Sequence, residues 1–524
     1  MNIPFILDKA LSLYADKEAV VCGEARFTYK QFAERIYRLA NFLHSKGLGP
    51  GDCVAILHQN SHEFLESYFA TAQLGVILNP LNFRLSPKEL AFILQDSGAS
   101  LLIASERFAG SVESLAEMRT DLNQVVWTGS DVETSAPLDS VYYEDVLRNE
   151  KAVAPPLPHI SDDDVVHLYY TSGTTGRPKG VMLSHKNVCV HALAAVAELK
   201  LGDYDNWIHV APLFHLADAW ATFAVTWVGG KHVIAVDFDP PLVLSAIQQE
   251  RITITNMIPT MLNMLVNTPG VETHDFSSLR AILSGGAPIA PEVVRKIMET
   301  FKCDYIQTYG MTETSPYLTV SILKENLAHL SDEEQFLYKA KTGRPFIGVL
   351  LKVVREDGTE VAPDDKEVGE IVVKGDIVTR GYWNRPGETQ KALRDGWLYT
   401  GDMAVVDREG YVNIVDRKKD VIITGGENVY SVEVENILYT HPSVLEAAVI
   451  GVPDPKWGEA VKAVVVLKPE ETATAEEIIQ YCKQHIARYK APKSIDFVSE
   501  LPKTGSGKIF KKGLKEKYGS QPNA

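Results

Sequence analysis

No stretch of this 524-residue chain approaches 18 uninterrupted apolar residues, so no membrane-spanning helix is expected. The opening MNIPFILDKALSLYADKEAV reads as a poor signal peptide, because Asp8 and Lys9 interrupt its apolar part. Cysteine is scarce. The five residues Cys22, Cys53, Cys189, Cys303 and Cys482 show no CxxC or zinc-type spacing, which predicts structural thiols in a reducing, cytoplasmic setting. Basic excess is also absent. With 52 Lys+Arg against 68 Asp+Glu the net charge is −16, and a nucleic-acid binder would need a basic face. Low-complexity segments and short-period repeats are lacking as well.

What is present is an ordinary globular composition, long enough for several domains. The charge is unevenly spread. From Arg417 onward 16 basic residues face 14 acidic ones, so the preceding part carries −18 and a near-neutral, lysine-studded piece follows an acidic body. Near the N-terminus, AVVCGEARFTYKQFAERIYRLANFLHSKGLGPGDCVAIL reads as a hairpin, an amphipathic helix and a strand, with Phe32, Ile36, Leu39 and Leu43 at helical spacing. Helix and strand then alternate, the rhythm of a mostly parallel sheet flanked by helices. The segment from Val125 to about Ile160 reads as loop-rich, and the chain after Lys341 as short strands and turns. The expected fold is α/β: a large N-terminal domain of mixed and parallel sheets with flanking helices and a small β-rich subdomain (1–416), then a small mobile α+β domain (417–524).

Several stretches concentrate residues suited to chemistry. YYTSGTTGRPKGV (169–181) sets glycines, hydroxyl side chains and Lys179 after an apolar strand. Such a loop can turn backbone N–H groups toward phosphates, or it can be a plain flexible connector. It is not a Walker loop, because Gly180 follows the lysine. In YIQTYGMTETS (305–315), Glu313 between two threonines suits Mg²⁺ and a phosphate oxygen, or an acidic helix start. LSGGAP (283–288) would let a flat ring approach the backbone, or serve a tight turn. GWLYTGD (396–402) ends on a carboxylate able to accept two ribose hydroxyls. DRKKDVIITGGENVYSVEVE (416–435) and PKTGSGKI (502–509) complete the series.

Taken together and in order, TSGTTGRPKG (171–180), YGMTET (309–314), GWLYTGD (396–402), DRKKD (416–420) and PKTGSGKI (502–509) resemble the core motifs of the adenylate-forming superfamily, which includes acyl-CoA synthetases, nonribosomal-peptide adenylation domains and luciferases. The resemblance spans nearly the whole chain. It implies an ATP- and Mg²⁺-dependent enzyme that converts a small-molecule carboxylic acid to an acyl-adenylate and then to a thioester of coenzyme A. By that resemblance Thr171, Ser172, Gly173, Thr174, Thr175 and Lys179 hold the β- and γ-phosphates, Thr312 the α-phosphate and Glu313 the metal. Gly285, Gly286, Ala287, Tyr309 and Gly310 frame adenine, and Asp402 and Arg417 hold the ribose. Lys508 serves adenylation from the C-terminal domain, which rotates about a hinge at 416–420 with Lys419 as pivot, and Gly425 and Gly426 line the path of pantetheine. The family often has proline where this chain has Ser431. His215, in HVAPLFHLADAWATF (209–223), matches the position covering the carboxylate end of the acid pocket. Asp218 is open to three uses: capping a helix, pairing with a lysine, or meeting a polar group on the acid. The leading expectation is a medium- to long-chain fatty acid. Alternatives are an aryl acid of the cinnamate or benzoate type, or a carrier protein as acceptor. A homodimer is one assembly the resemblance allows.

Overall fold

In the computed structural model, which describes residues 1–118, 120–129, 138–156, 158–171, 178–286, 289, 291–503 and 509–519, the opening segment folds as its pattern predicts. Strands Glu18–Cys22 and Ala25–Thr28 form an antiparallel hairpin, followed by helix Tyr29–Ser45 and strand Cys53–Leu57. A capping box of Thr28 and Gln31 starts the helix, and Phe32, Ile36, Leu39 and Leu43 are fully buried along one face.

Two large sheets form the body. In the nine-stranded sheet, strands Lys231–Ile234, Asn206–His209, Ile254–Met257, Ala281–Gly285 and Asp304–Gly310 run parallel, and antiparallel strands Ala25–Thr28 and Tyr317–Val320 flank the parallel part. The seven-stranded sheet is parallel except for its last hairpin, Val165–Thr171 with Lys179–Ser184. Inner strands such as Cys53–Leu57, Leu101–Ser105 and Ala281–Gly285 are buried from end to end, which is why they read as continuous apolar runs. The segment read as loop-rich is more ordered than expected. Gln124–Thr128 and Asp139–Tyr142 extend the seven-stranded sheet to its edge, and helix Tyr143–Asn149 follows. Strands and helix this short leave no period long enough to read.

A five-stranded antiparallel sheet between Leu350 and Arg417 forms the β-rich subdomain. A second five-stranded sheet, after residue 421, is covered on both faces. Along strand Gly458–Leu467, Val461, Ala463 and Val465 point toward Val434, Leu438 and Ile478, while Ala460, Val464 and Val466 point toward Leu501 and Leu514. No helix of the described residues is long and apolar enough to cross a membrane. All five cysteines are free thiols, four of them buried.

Candidate active site

The hairpin Val165–Thr171/Lys179–Ser184 brings the two ends of the Gly/Thr loop together, with Thr171 opposite Lys179. The loop between them, carrying Ser172, Gly173, Thr174 and Thr175, lies outside the described residues, as do Ala287 and Lys508. At the loop's far end Lys179 forms an ion pair with Glu388, and its ammonium stands 5.1 Å from the centre of the Tyr382 ring. Tyr382 in turn donates from its hydroxyl to Glu313 Oε1 at 2.8 Å. Tyr382 and Glu388 were missed in the sequence, where RGYWNRPGET offers only a turn and one acid among many. Their role follows from the strand Lys179–Ser184, which pairs with this segment through Val181–Tyr382 and accepts the Trp383 N–H on the Gly180 carbonyl at 2.7 Å.

Glu313 is held in a 3₁₀ turn, Thr312–Thr314, directly after strand Asp304–Gly310. Gly310 is required there: a Cβ would fall 1.8 Å from the Pro316 carbonyl oxygen. Burial raises the Glu313 carboxyl above its ordinary value, while the Tyr382 hydroxyl and the nearby charges of Arg417 and Lys179 pull it back down. Tyr382 occupies one carboxylate oxygen, leaving Oε2 and the neighbouring Thr312 hydroxyl as hard oxygen donors. That donor set fits one Mg²⁺ bound chiefly through phosphates and water. Among the described residues no group of three His, Cys, Asp or Glu side chains forms a self-sufficient metal cage.

A second constellation sits where the nine-stranded sheet meets the subdomain. Tyr309 donates to Asp402 Oδ2 at 2.7 Å, and Arg417 Nε lies 3.3 Å from Asp402 Oδ1. Register explains the pairing, since Asp402 and Arg417 stand directly opposite each other on adjacent strands. Burial and the Asp402 charge push the Tyr309 phenol well above its usual range, so it remains a donor. Asp402 is 5% exposed and Arg417 is exposed, which points the guanidinium outward from a fixed carboxylate. Gly285 ends its strand against Thr308, whose Oγ1 would be 2.4 Å from an added Cβ, and Gly286 turns with φ of +87°.

His215 is half-buried and caps helix Leu216–Val228, its Nδ1 accepting the Ala217 N–H at 3.1 Å. Asp218 does none of the three things foreseen for it. Trp207 Nε1 donates to its Oδ1 at 3.0 Å and His209 Nδ1 meets its Oδ2 at 3.1 Å, in full burial. The chain of contacts continues from His209 to His232 and on to Thr226, at 3.0 Å each. Asp218 therefore belongs to a closed interior network, not to an acid-binding surface. Beyond it, Trp220 Nε1 donates to the Tyr317 hydroxyl at 3.1 Å, and Trp220, Tyr317, His191 and Phe346 pack with ring centres 5.0–5.9 Å apart.

Gly425 and Gly426 form the two-residue turn between strands Ile422–Thr424 and Glu427–Val429, with φ of +62° and +88°. Such a hairpin needs positive φ at both central positions, which accounts for the pair without reference to a ligand. Lys419 is exposed on the connection to this sheet. Lys503 and Ile509 form a β-bridge at the base of the loop bearing Lys508.

Residues 7–383 match the family model for AMP-binding enzymes, and residues 433–508 match that for the AMP-binding enzyme C-terminal domain. The chain is 40% identical over 502 residues to a feruloyl-CoA synthase of an Amycolatopsis species, covering 96% of each. It is 38% identical over 529 residues to a long-chain-fatty-acid–CoA ligase of Thermus thermophilus, covering 99% of this chain and 96% of the other. The crystal structure of an anthranilate CoA ligase in complex with anthranoyl-AMP superposes with a TM-score of 0.89 at 29% identity, over 99% of this chain and 97% of that one.

Proposed function

The chain belongs to the AMP-binding enzyme family and is an AMP-forming acid–CoA ligase; we propose that its acid is compact and aromatic, in preference to a long fatty acid. The observation that carries this reading is the wall formed by Trp220, Tyr317, His191 and Phe346, which are 2%, 4%, 1% and 2% exposed. Trp220 lies on the helix that His215 caps, and Tyr317 follows Thr312 and Glu313 by one short turn. A planar acid seated beside His215 would end against this wall. A long alkyl chain would have to displace interlocked rings, because protein interiors are close-packed.

The reaction begins with attack of a carboxylate oxygen on the α-phosphorus of ATP. That bond forms as the bond to pyrophosphate breaks, giving the acyl-adenylate. The sulfur of coenzyme A then attacks the acyl carbon, the thiol proton leaves, and AMP departs. Thr171, Ser172, Gly173, Thr174, Thr175 and Lys179 hold the leaving pyrophosphate, and Thr312 holds an α-phosphate oxygen. Glu313 would hold Mg²⁺, which supplies positive charge to the phosphate oxygens when bound. Tyr309, with Gly285 and Gly286, presents a flat face to adenine, and Asp402 with Arg417 accepts the ribose. Lys508 places its ammonium between carboxylate and phosphate, where negative charge builds. The boundary between the two domains falls at 416/417, and rotation about Lys419 exchanges Lys508 for a thiol-admitting face between the two steps.

The test is a panel of acids with ATP and coenzyme A, reading AMP release. Cinnamate- and benzoate-type acids should exceed C12–C16 fatty acids by about tenfold or more in kcat/KM. The reverse order would return the chain to the fatty-acid reading.

A further inference from the structure

A chain of side-chain contacts joins the end of the large domain to the last helix, and the reaction scheme above makes no use of it. Asp416, in strand Val412–Arg417, is 3% exposed, and its Oδ2 accepts the backbone N–H of Ser431 at 2.6 Å. Ser431 is fully buried and opens helix Ser431–Tyr439. Its hydroxyl accepts from Lys511 Nζ at 2.6 Å, and the same ammonium pairs with Glu435 at 2.7 Å. Glu435 stands one helical turn beyond Ser431, so both present to Lys511 from one face. Glu435 Oε1 also accepts the Val449 N–H at 2.7 Å, tying the group to the central hairpin of the small domain. Lys511 is the first residue of helix Lys511–Tyr518. One turn further on, Lys515 pairs with Asp420 at 3.0 Å and reaches the Lys419 carbonyl at 3.4 Å.

We propose that Ser431 is a positioning residue that sets the balance between the two half-reactions, by bonding to Asp416 across the pivot and to Lys511 at the base of the last helix. The inference rests on the two-orientation reading given above. Asp416 precedes Lys419 in the chain and Ser431 follows it, so rotation about Lys419 moves one against the other. The 2.6 Å bond therefore belongs to one orientation. Its weight comes from the acceptor: a hydrogen bond to a carboxylate is stronger than one between neutral groups. Asp416 Oδ1 keeps the Arg417 N–H at 2.7 Å, but a buried carboxylate whose other oxygen loses its donor also incurs a desolvation penalty. The link to Lys511 carries the effect onward, because Lys511 stands three residues after Lys508. Where Ser431 is held, the start of helix Lys511–Tyr518 is held too.

Two substitutions in the full-length chain separate the parts. Ser431→Pro removes both the N–H and the hydroxyl, whereas Ser431→Ala keeps the N–H. Adenylate formation is followed as acid-dependent pyrophosphate release, and thioester formation from supplied acyl-adenylate and coenzyme A. Ser431→Pro should shift the ratio of the two rates by at least about threefold, and Ser431→Ala by less. An unmoved ratio, an equal proportional loss of both steps, or equal shifts from both substitutions would overturn the inference. Should the proline variant not fold, Asp416→Ala must produce the same shift, and a ratio unmoved there overturns it equally. A wild-type chain performing neither half-reaction on any acid would overturn the functional reading and take this inference with it. An active chain whose ratio does not move overturns this inference alone.

Discussion

The residues proposed to meet the nucleotide and those proposed to meet the acid are built on opposite plans. On the proposed nucleotide side charged and polar groups pair so that each set keeps at least one member that is partly or fully exposed: Lys179 with Glu388, Tyr382 with Glu313, Tyr309 and Arg417 with Asp402. These are the groups proposed to meet the polyanion. On the acid side the polar groups close on one another. Asp218, His209, His232 and Thr226 satisfy each other in full burial, and aromatic rings occupy what remains. One side is arranged to exchange partners and the other to keep its shape.

The contrast can be tested by breaking each side in turn. Lys508→Ala should cut adenylate formation about 10²–10³-fold while largely sparing thioester formation from supplied acyl-adenylate. Equal loss of both steps in a half-reaction assay would remove Lys508 from its assigned role. On the acid side, Trp220→Ala should cost about 3 kcal/mol of stability, because it opens a cavity that its neighbours cannot fill. The same variant should raise the relative kcat/KM for linear acids, and a preference unmoved in the acid panel would detach the wall from specificity.

Buried His167 sharpens the comparison through pH. Packed among Tyr68, Tyr169 and Phe223, its imidazole is pushed by burial from 6.5 down to about 3. The folded state thus keeps it neutral where the unfolded chain would protonate it. Its contribution is fully present above pH 6.5 and is lost as pH falls toward 3. At pH 5 that loss amounts to about 2 kcal/mol, readable as the difference between wild type and His167→Phe in urea unfolding at pH 7 and pH 5. The smallest effect expected is that of Asp402→Asn, about tenfold in kcat/KM for ATP with the acid preference unchanged. If the acid preference moved with it, the two sides would not be separable.

The residues assigned by resemblance to the nucleotide come in short, ordered clusters, and the structure brings some of these clusters together. Tyr309, Asp402 and Arg417, more than ninety residues apart at the extremes, do meet, since strand register puts the last two opposite each other. Tyr382 and Glu388 were not legible: what makes them matter is a bridge from Val181 to Tyr382, and nothing local encodes it. The acid side was the less readable. Asp218 looked available because a sequence shows a charge but not its partners, which here come from a neighbouring strand. Gly425 and Gly426 drew attention for a ligand, and their backbone angles give a sufficient reason by themselves. The alternation of helix and strand was visible throughout, except where the elements between Val125 and Ile160 are too short to show a period.

Lys179 meets its ligand already wearing a counter-ion. Glu388 holds the ammonium in the free protein, and Glu388 also pairs with Lys391 at 3.1 Å. On the proposed reading, nucleotide uptake at Lys179 would be an ion exchange in which one anion replaces another. The favourable free energy is only the excess of phosphate over carboxylate as a partner for the same cation. Such a contact would discriminate by charge density, since a weakly anionic ligand would gain less than a triphosphate by replacing the resident acid. Glu388, once released, keeps Lys391 as its neighbour, so the displaced carboxylate is not left uncompensated beside the incoming phosphates.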